Sequence, residues 1–244
     1  MERLLVFQHV PHEHPGLFSK FAQEKGIEMK IVELWNIPGF PSAYPVALYD
    51  GLIIMGGPMA AYDTPRNYPS KAAELATIKA ALEVGIPILG ICLGSQLLAM
   101  AKEADVRPNI IDGRKVKEVG LDQIDLTIEG KTNSLFTGLD SPLKVVQWHG
   151  DIFDLPRGAK RLATSPLVET QAFVVNRNAY GLLFHLEATP EMIGDWIEAD
   201  RSWIHQDFEV NEEKLRKEAK KYASLMEEQC RRLFTNFISI VSSR

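Results

Sequence analysis

Short apolar runs and stripes of helical period alternate along the chain. Leu4 to His9 is the first such run and predicts a buried strand. After the polar loop Val10-Pro11-His12-Glu13-His14-Pro15-Gly16, Leu17 to Lys25 carries Phe18, Phe21 and Ala22 on one helical face. Met29 to Leu34 predicts a second strand, and Pro38, Pro41 and Pro45 force an extended loop behind it. Gly51 to Met55 is a third strand, running straight into Gly56-Gly57-Pro58. Lys71 to Val84 reads as an amphipathic helix with Leu75, Ile78 and Leu82 inward, stopped by Gly85 and Pro87. Ile86 to Ile91 is a fourth apolar run, of the kind found in buried parallel strands, and Leu93 opens a helix with Leu97, Leu98 and Ala101 at helical spacing.

Beyond Pro108 the pattern becomes more β-like. Ile124, Leu126 and Ile128 alternate with polar residues, and Leu143 to Trp148 forms another strand, followed by the polar loop His149-Gly150-Asp151. Gln171 to Val175 and Tyr180 to His185 pair as a hairpin across Asn176-Arg177-Asn178. Thr189-Pro190 supplies a helix cap and a first-turn proline. Residues 211–242 predict one long helix with Leu215, Ala219, Tyr222, Met226, Leu233 and Phe237 as its apolar stripe. Its basic side, with Lys214, Arg216 and Lys217, reads as a solvated face. Strands alternating with helices predict an α/β fold, a doubly wound and mostly parallel sheet with an antiparallel β addition. We expect a main domain over residues 1–200 and a C-terminal helical extension over 201–244.

Composition narrows the functional classes. A net charge of -5 over 244 residues argues against a general nucleic-acid surface. The first apolar run is too short for a signal peptide, and no stretch approaches the roughly 20 apolar residues of a membrane span. The expectation is a soluble cytoplasmic protein. The two cysteines, Cys92 and Cys230, sit in no metal-type pattern. His9, His12 and His14 lack acidic or cysteine partners at ligand spacing, so neither a metal nor another cofactor is expected.

The candidate chemistry begins at Cys92. Gly90 before it and Gly94 after it spell a sharp strand-to-helix turn, where bulkier residues would clash. Such a turn is expected to point the side chain into solvent, and the following helix N-terminus favours a thiolate. The alternative is a buried core cysteine. Glycines at Gly56-Gly57 let the backbone approach a ligand, or simply make a tight turn. His185 and Glu187 lie two apart at a strand end, so both face one side, and a carboxylate there fixes an imidazole tautomer. Alone, such a pair is common on surface strands.

Together, Gly56-Gly57-Pro58, Gly90-Ile91-Cys92-Leu93-Gly94-Ser95-Gln96 and Phe184-His185-Leu186-Glu187 resemble the class I glutamine amidotransferase family in order and spacing, over roughly Leu4 to Trp196. The chain is most similar to the stand-alone members related to the glutaminase domain of GMP synthetase, a placement that Trp148-His149-Gly150-Asp151 and Gln171-Ala172-Phe173 strengthen. The resemblance implies a flavodoxin-like sheet and a glutaminase with Cys92 as nucleophile, His185 as base and Glu187 as its orienter. It implies an oxyanion hole from the N–H groups of Gly57 and Leu93, and substrate contacts at Gln96, Gly150 and Asp151. Asp151 reads equally as a turn residue. One departure stands out: the family usually has proline between the His and the Glu, and here it is Leu186.

The expected substrate is glutamine or another γ-glutamyl amide. A γ-glutamyl peptidase with the same triad and a catalytically silent regulatory subunit are the alternatives. No Gly-x-x-x-x-Gly-Lys-Ser/Thr pattern is present, so released ammonia is expected to pass to a synthetase or acceptor partner, unless the enzyme is a plain hydrolase.

Overall fold

The computed structural model describes residues 2–206 and 209–244. Nine strands form its main sheet: β1 (Arg3–Gln8), β2 (Glu28–Glu33), β3 (Gly51–Ile54), β4 (Ile88–Ile91), β5 (Glu118–Leu126), β6 (Leu143–His149), β7 (Lys160–Thr164), β8 (Ala172–Val175) and β9 (Ala179–Leu182). They are ordered β2-β1-β3-β4-β9-β8-β7-β5-β6. The first five in that order run parallel, and the remaining pairings are antiparallel. This is the expected doubly wound sheet with its antiparallel addition.

Strand β1 shows why helices must cover both faces. Leu4 and Val6 pack into one hydrophobic cluster, and Leu5 and Phe7 into another on the opposite side. The first cluster is closed by α1 (Gly16–Lys25) through Phe18 and Phe21 and by the long C-terminal helix Glu212–Ser242 through Leu233, Phe234 and Phe237. The second is closed by α2 (Lys71–Val84) and α3 (Leu93–Ala101). A third cluster joins Trp148 on β6 to Trp196 and Ile197 on α4 (Pro190–Ala199) and to Leu215 and Met226 on the long helix, α5. As its sequence predicts, α4 starts with Pro190 in the first turn and the Thr189 hydroxyl accepting from the Met192 N–H at 3.3 Å. No helix among the described residues is long and apolar enough to cross a membrane.

One local expectation fails and another needs extending, each for a physical reason. Strand β5 ends at Leu126; Thr127 then caps a single helical turn by accepting from the Gly130 N–H, and Ile128 is exposed instead of continuing the alternation. On α2 Leu75, Ile78 and Leu82 do pack on the second cluster, but Leu75 and Leu82 are only half-buried, and the fully buried side adds Ala73, Glu74, Thr77 and Ala81. A buried glutamate joins that side because His9, just beyond β1, pairs with it.

Candidate active site

The parallel strands bring the Gly56-Gly57, Cys92 and His185-Glu187 segments to one end of the sheet. Strand β4 ends at Ile91 and α3 begins at Leu93, so Cys92 alone makes the turn, with φ 48° and ψ −107°. That is a strained conformation for a residue with a side chain, of the kind that clusters at reactive sites. It is over-determined by its neighbours: the Cys92 N–H donates to Leu182 O at 2.8 Å, and Cys92 O accepts from the N–H groups of Ser95 and Gln96. A Cβ at Gly90 would lie 2.5 Å from the Gly94 carbonyl oxygen, and one at Gly94 would run into the Ile54 carbonyl. Both positions therefore require glycine.

Cys92 does not project into solvent as the turn suggested. Its side chain is buried on the floor of a cavity of about 360 Å³. The thiol points at the Trp148 carbonyl, 3.7 Å away. Burial pushes its pKa up, outweighing the opposing pull of His185 and of the Leu93 N–H. The helix terminus alone does not give a thiolate here.

Behind Cys92, the chain leaving β9 stays tied to the sheet. Leu183 donates to Gln171 O, and His185 exchanges two backbone hydrogen bonds with Val146 on β6, at 2.8 and 3.0 Å. This pins His185 against the sheet, with its Nδ1 2.6 Å from Glu187 Oε1 and both side chains buried. Carboxylate oxygens accept, so Nδ1 carries the proton and Nε2 is left as the reactive nitrogen. Nε2 has no nitrogen or oxygen partner and is left to interact with the Cys92 thiol. The Trp196 ring stands edge-on to the imidazole at 4.7 Å. Burial opposes the cation at His185, but Glu187 and then Cys92 outweigh it and raise its pKa well above that of a free imidazole. A buried sulfur, an imidazole and a carboxylate in this sequence can perform nucleophilic acyl transfer with proton relay.

The other predicted positions gather around the same cavity. Gly57, Leu93 and Gln96 line it, and so do Gly150 and Asp151. Asp151 opens a short strand, Asp151–Phe153, paired with Val106–Pro108, and accepts from Tyr62 Oη at 3.3 Å. Burial, then Asp151, pushes the Tyr62 hydroxyl up to about 12. The segment around Gly150 rests on a buried polar network: Glu118 lies 3.2 Å from His149 Nε2 and accepts from Gln171 Nε2 at 2.6 Å and from Ser165 Oγ at 2.8 Å. His149 and Gln171, noticed separately in the sequence, thus meet through one carboxylate.

Two groups near the site, Glu13 and Asp200, carried no sequence signal, and a third, His9, was weighed only as a metal candidate. Glu13, in the loop after β1, lines the cavity, and a Cβ on Gly56 would run into its Oε2 and lie 3.1 Å from His185 Cε1. Burial raises the Glu13 carboxyl to about 7 against the pull of His185. Asp200, at the end of α4, accepts from Trp148 Nε1 at 2.9 Å and also lines the cavity. His9, the end of the first apolar run, is buried behind Gly56.

Residues 23–203 match the family model for glutamine amidotransferase class-I. The chain belongs to that family. It is 30% identical over 192 residues to the glutamine amidotransferase-like protein YfeJ of Salmonella typhimurium, covering 78% of this chain and 77% of that protein. It is 32% identical over 169 residues to the glutamine-hydrolysing GMP synthase of Lacticaseibacillus casei, covering 65% of this chain but only 30% of the synthase. A solved glutamine amidotransferase from Thermotoga maritima superposes with a TM-score of 0.84 at 30% identity, covering 97% of this chain and 98% of that one.

Proposed function

We propose that the protein hydrolyses the side-chain amide of glutamine through a γ-glutamyl thioester on Cys92. The observation that carries this reading is the relay behind one cavity: Cys92 lines it, and the buried His185, which interacts with Cys92, holds its Nδ1 2.6 Å from the Glu187 carboxylate. Sγ adds to the amide carbon while His185 Nε2 takes the thiol proton. The carbonyl oxygen becomes an oxyanion between the N–H groups of Gly57 and Leu93, each such donor worth about 3 kcal/mol in related chemistry. His185 then protonates the departing nitrogen as the C–N bond breaks, and ammonia leaves. Water gives a proton to Nε2 and attacks the thioester. The C–S bond breaks, the proton returns to sulfur, and glutamate is released. Gln96 and the Gly150-Asp151 segment hold the amino acid end of the substrate, and Asp151 is suited to an ammonium group.

Ammonia released here passes to a synthetase or acceptor partner. The match to about a third of a GMP synthase supports this, since that enzyme carries a region similar to this chain within a longer protein. The runner-up is a γ-glutamyl peptidase. It is favoured by the extension of the cavity past Cys92 to Trp203 and Gln206, where a larger leaving group would fit.

The test compares kcat/KM of the purified chain for glutamine and for γ-glutamyl peptides or anilides. Glutamine is expected to be the better substrate, and Cys92→Ala to lose activity by a factor on the order of a million. A chain that ignores glutamine but turns over γ-glutamyl peptides without a partner would promote the runner-up.

A further inference from the structure

His9 Nδ1 lies 2.8 Å from the carbonyl oxygen of Gly56, and its Nε2 lies 2.8 Å from Glu74 Oε2 and 3.0 Å from Tyr68 Oη. Tyr68 Oη also donates to Glu74 Oε2 at 3.2 Å. All three side chains are buried: His9 directly follows β1, Glu74 is on α2 and Tyr68 is in the loop before α2. A carbonyl oxygen can only accept, so Nδ1 must carry a proton whatever the state of Glu74. The imidazole is thus held from behind by two residues and donates forward to one peptide group.

That peptide is the one between Gly56 and Gly57. In a trans peptide the C=O and the following N–H point in opposite directions. With the Gly56 oxygen held on His9, the Gly57 N–H is directed away from His9, on the side where Gly57 lines the cavity with Cys92 and Leu93. Neither glycine has a Cβ to oppose a flip of this peptide, and a flip would present a carbonyl oxygen where a donor is needed. A hydrogen bond to the carbonyl also polarises the peptide and strengthens its N–H as a donor.

We propose that His9, braced by Glu74 and Tyr68, is a positioning residue that fixes the Gly56–Gly57 peptide so that the Gly57 N–H faces the oxyanion. The proposal rests on the amidohydrolase reading but makes a claim about hydrogen bonding that does not need turnover. Asparagine places its amide nitrogen near the position of Nδ1, whereas glutamine reaches toward that of Nε2. His9→Asn is therefore expected to keep kcat within about tenfold of wild type. His9→Gln is expected to lose about 100- to 1,000-fold in kcat, the cost of one oxyanion donor. Its KM, and the rate at which iodoacetamide alkylates Cys92, should stay near wild type, since neither needs the oxyanion hole. Equal kcat for the two variants, or a loss confined to KM, would overturn the assignment.

A second measurement decides the matter without activity or variants. In the wild-type chain labelled with 15N-histidine and 13C-glycine, a through-hydrogen-bond coupling should link His9 Nδ1 to the Gly56 carbonyl, with Nδ1 protonated from pH 5 to 9. An unprotonated Nδ1 would sink the proposal. If instead the coupling is present and the chain hydrolyses no γ-glutamyl substrate, the amidohydrolase reading fails and the brace stands.

Discussion

Glu187 grips His185 with one carboxylate oxygen, 2.6 Å from Nδ1, while its other oxygen accepts the Leu186 backbone N–H at 3.1 Å. The imidazole is thereby locked with Nε2 free. His185→Asn is expected to remove both proton transfers and to approach the million-fold cost of losing a nucleophile, whereas Glu187→Gln should cost on the order of ten-thousand-fold. Rate constants for one substrate across the three proteins check this. Equal losses would mean that the carboxylate does more than orient the ring.

The same relationship gives Leu186 a purpose. Proline, the family's usual residue there, has no N–H to offer, so Glu187 would lose one of its two anchors. Leu186→Pro is expected to lower kcat up to about thirty-fold, equivalent to a charge-assisted hydrogen bond of about 2 kcal/mol. An unchanged kcat would show that His185 alone holds Glu187 in place.

Glu13 sets the pH response. Its charge acts to raise the Cys92 pKa, and burial has already raised its own carboxyl to about 7. Sulfur becomes nucleophilic only when the Cys92–His185 pair gives up a proton, so alkylation of Cys92 by iodoacetamide should accelerate with rising pH. Glu13→Gln removes the negative charge and should move the midpoint of that acceleration to lower pH. An unmoved or higher midpoint would contradict the coupling.

Stability provides an independent check on Glu13. Between about pH 4.5 and 7 the unfolded chain is ionised at this position and the folded chain is not, so stability falls as pH rises through that window and stays low above it. Glu13→Gln should therefore gain stability relative to wild type at pH 8 compared with pH 5, by about 3 kcal/mol at most. Denaturant titrations at the two pH values measure it.

The sheet and the gathering of Cys92, His185 and Glu187 were legible because each is written locally. Gly90 and Gly94 spell the turn at Cys92, and a spacing of two puts His185 and Glu187 on one face. What was hidden depends on partners from distant segments. Glu74 looks like a wet position on α2 until His9, 65 residues earlier, arrives at 2.8 Å. Glu13 sits in a loop whose polarity gives no hint that the fold closes over it. The choice between an exposed and a buried Cys92 stays open in the sequence for the same reason: a turn motif says how the backbone bends, and Trp148, supplied by β6, decides what lies in front of the sulfur.

Cys230 provides the internal control. It lies fully buried on α5, its thiol pushed well up by burial and then by Glu187, and it does not line the cavity that holds Cys92. Cys230→Ala is expected to keep activity within a few-fold of wild type while losing about 1 kcal/mol or somewhat more of stability through the vacated volume. A large fall in kcat with intact folding would show that the core at α5 reaches the site.

The central claim is that Cys92 attacks a γ-glutamyl group. Its most direct test is the intact mass and peptide map of the native chain after treatment with an electrophilic glutamine analogue. The account predicts one adduct, on Cys92, slowed by added glutamine and absent from Cys92→Ala. Labelling of Cys230 instead, or no adduct under conditions where iodoacetamide still reaches Cys92, would contradict it.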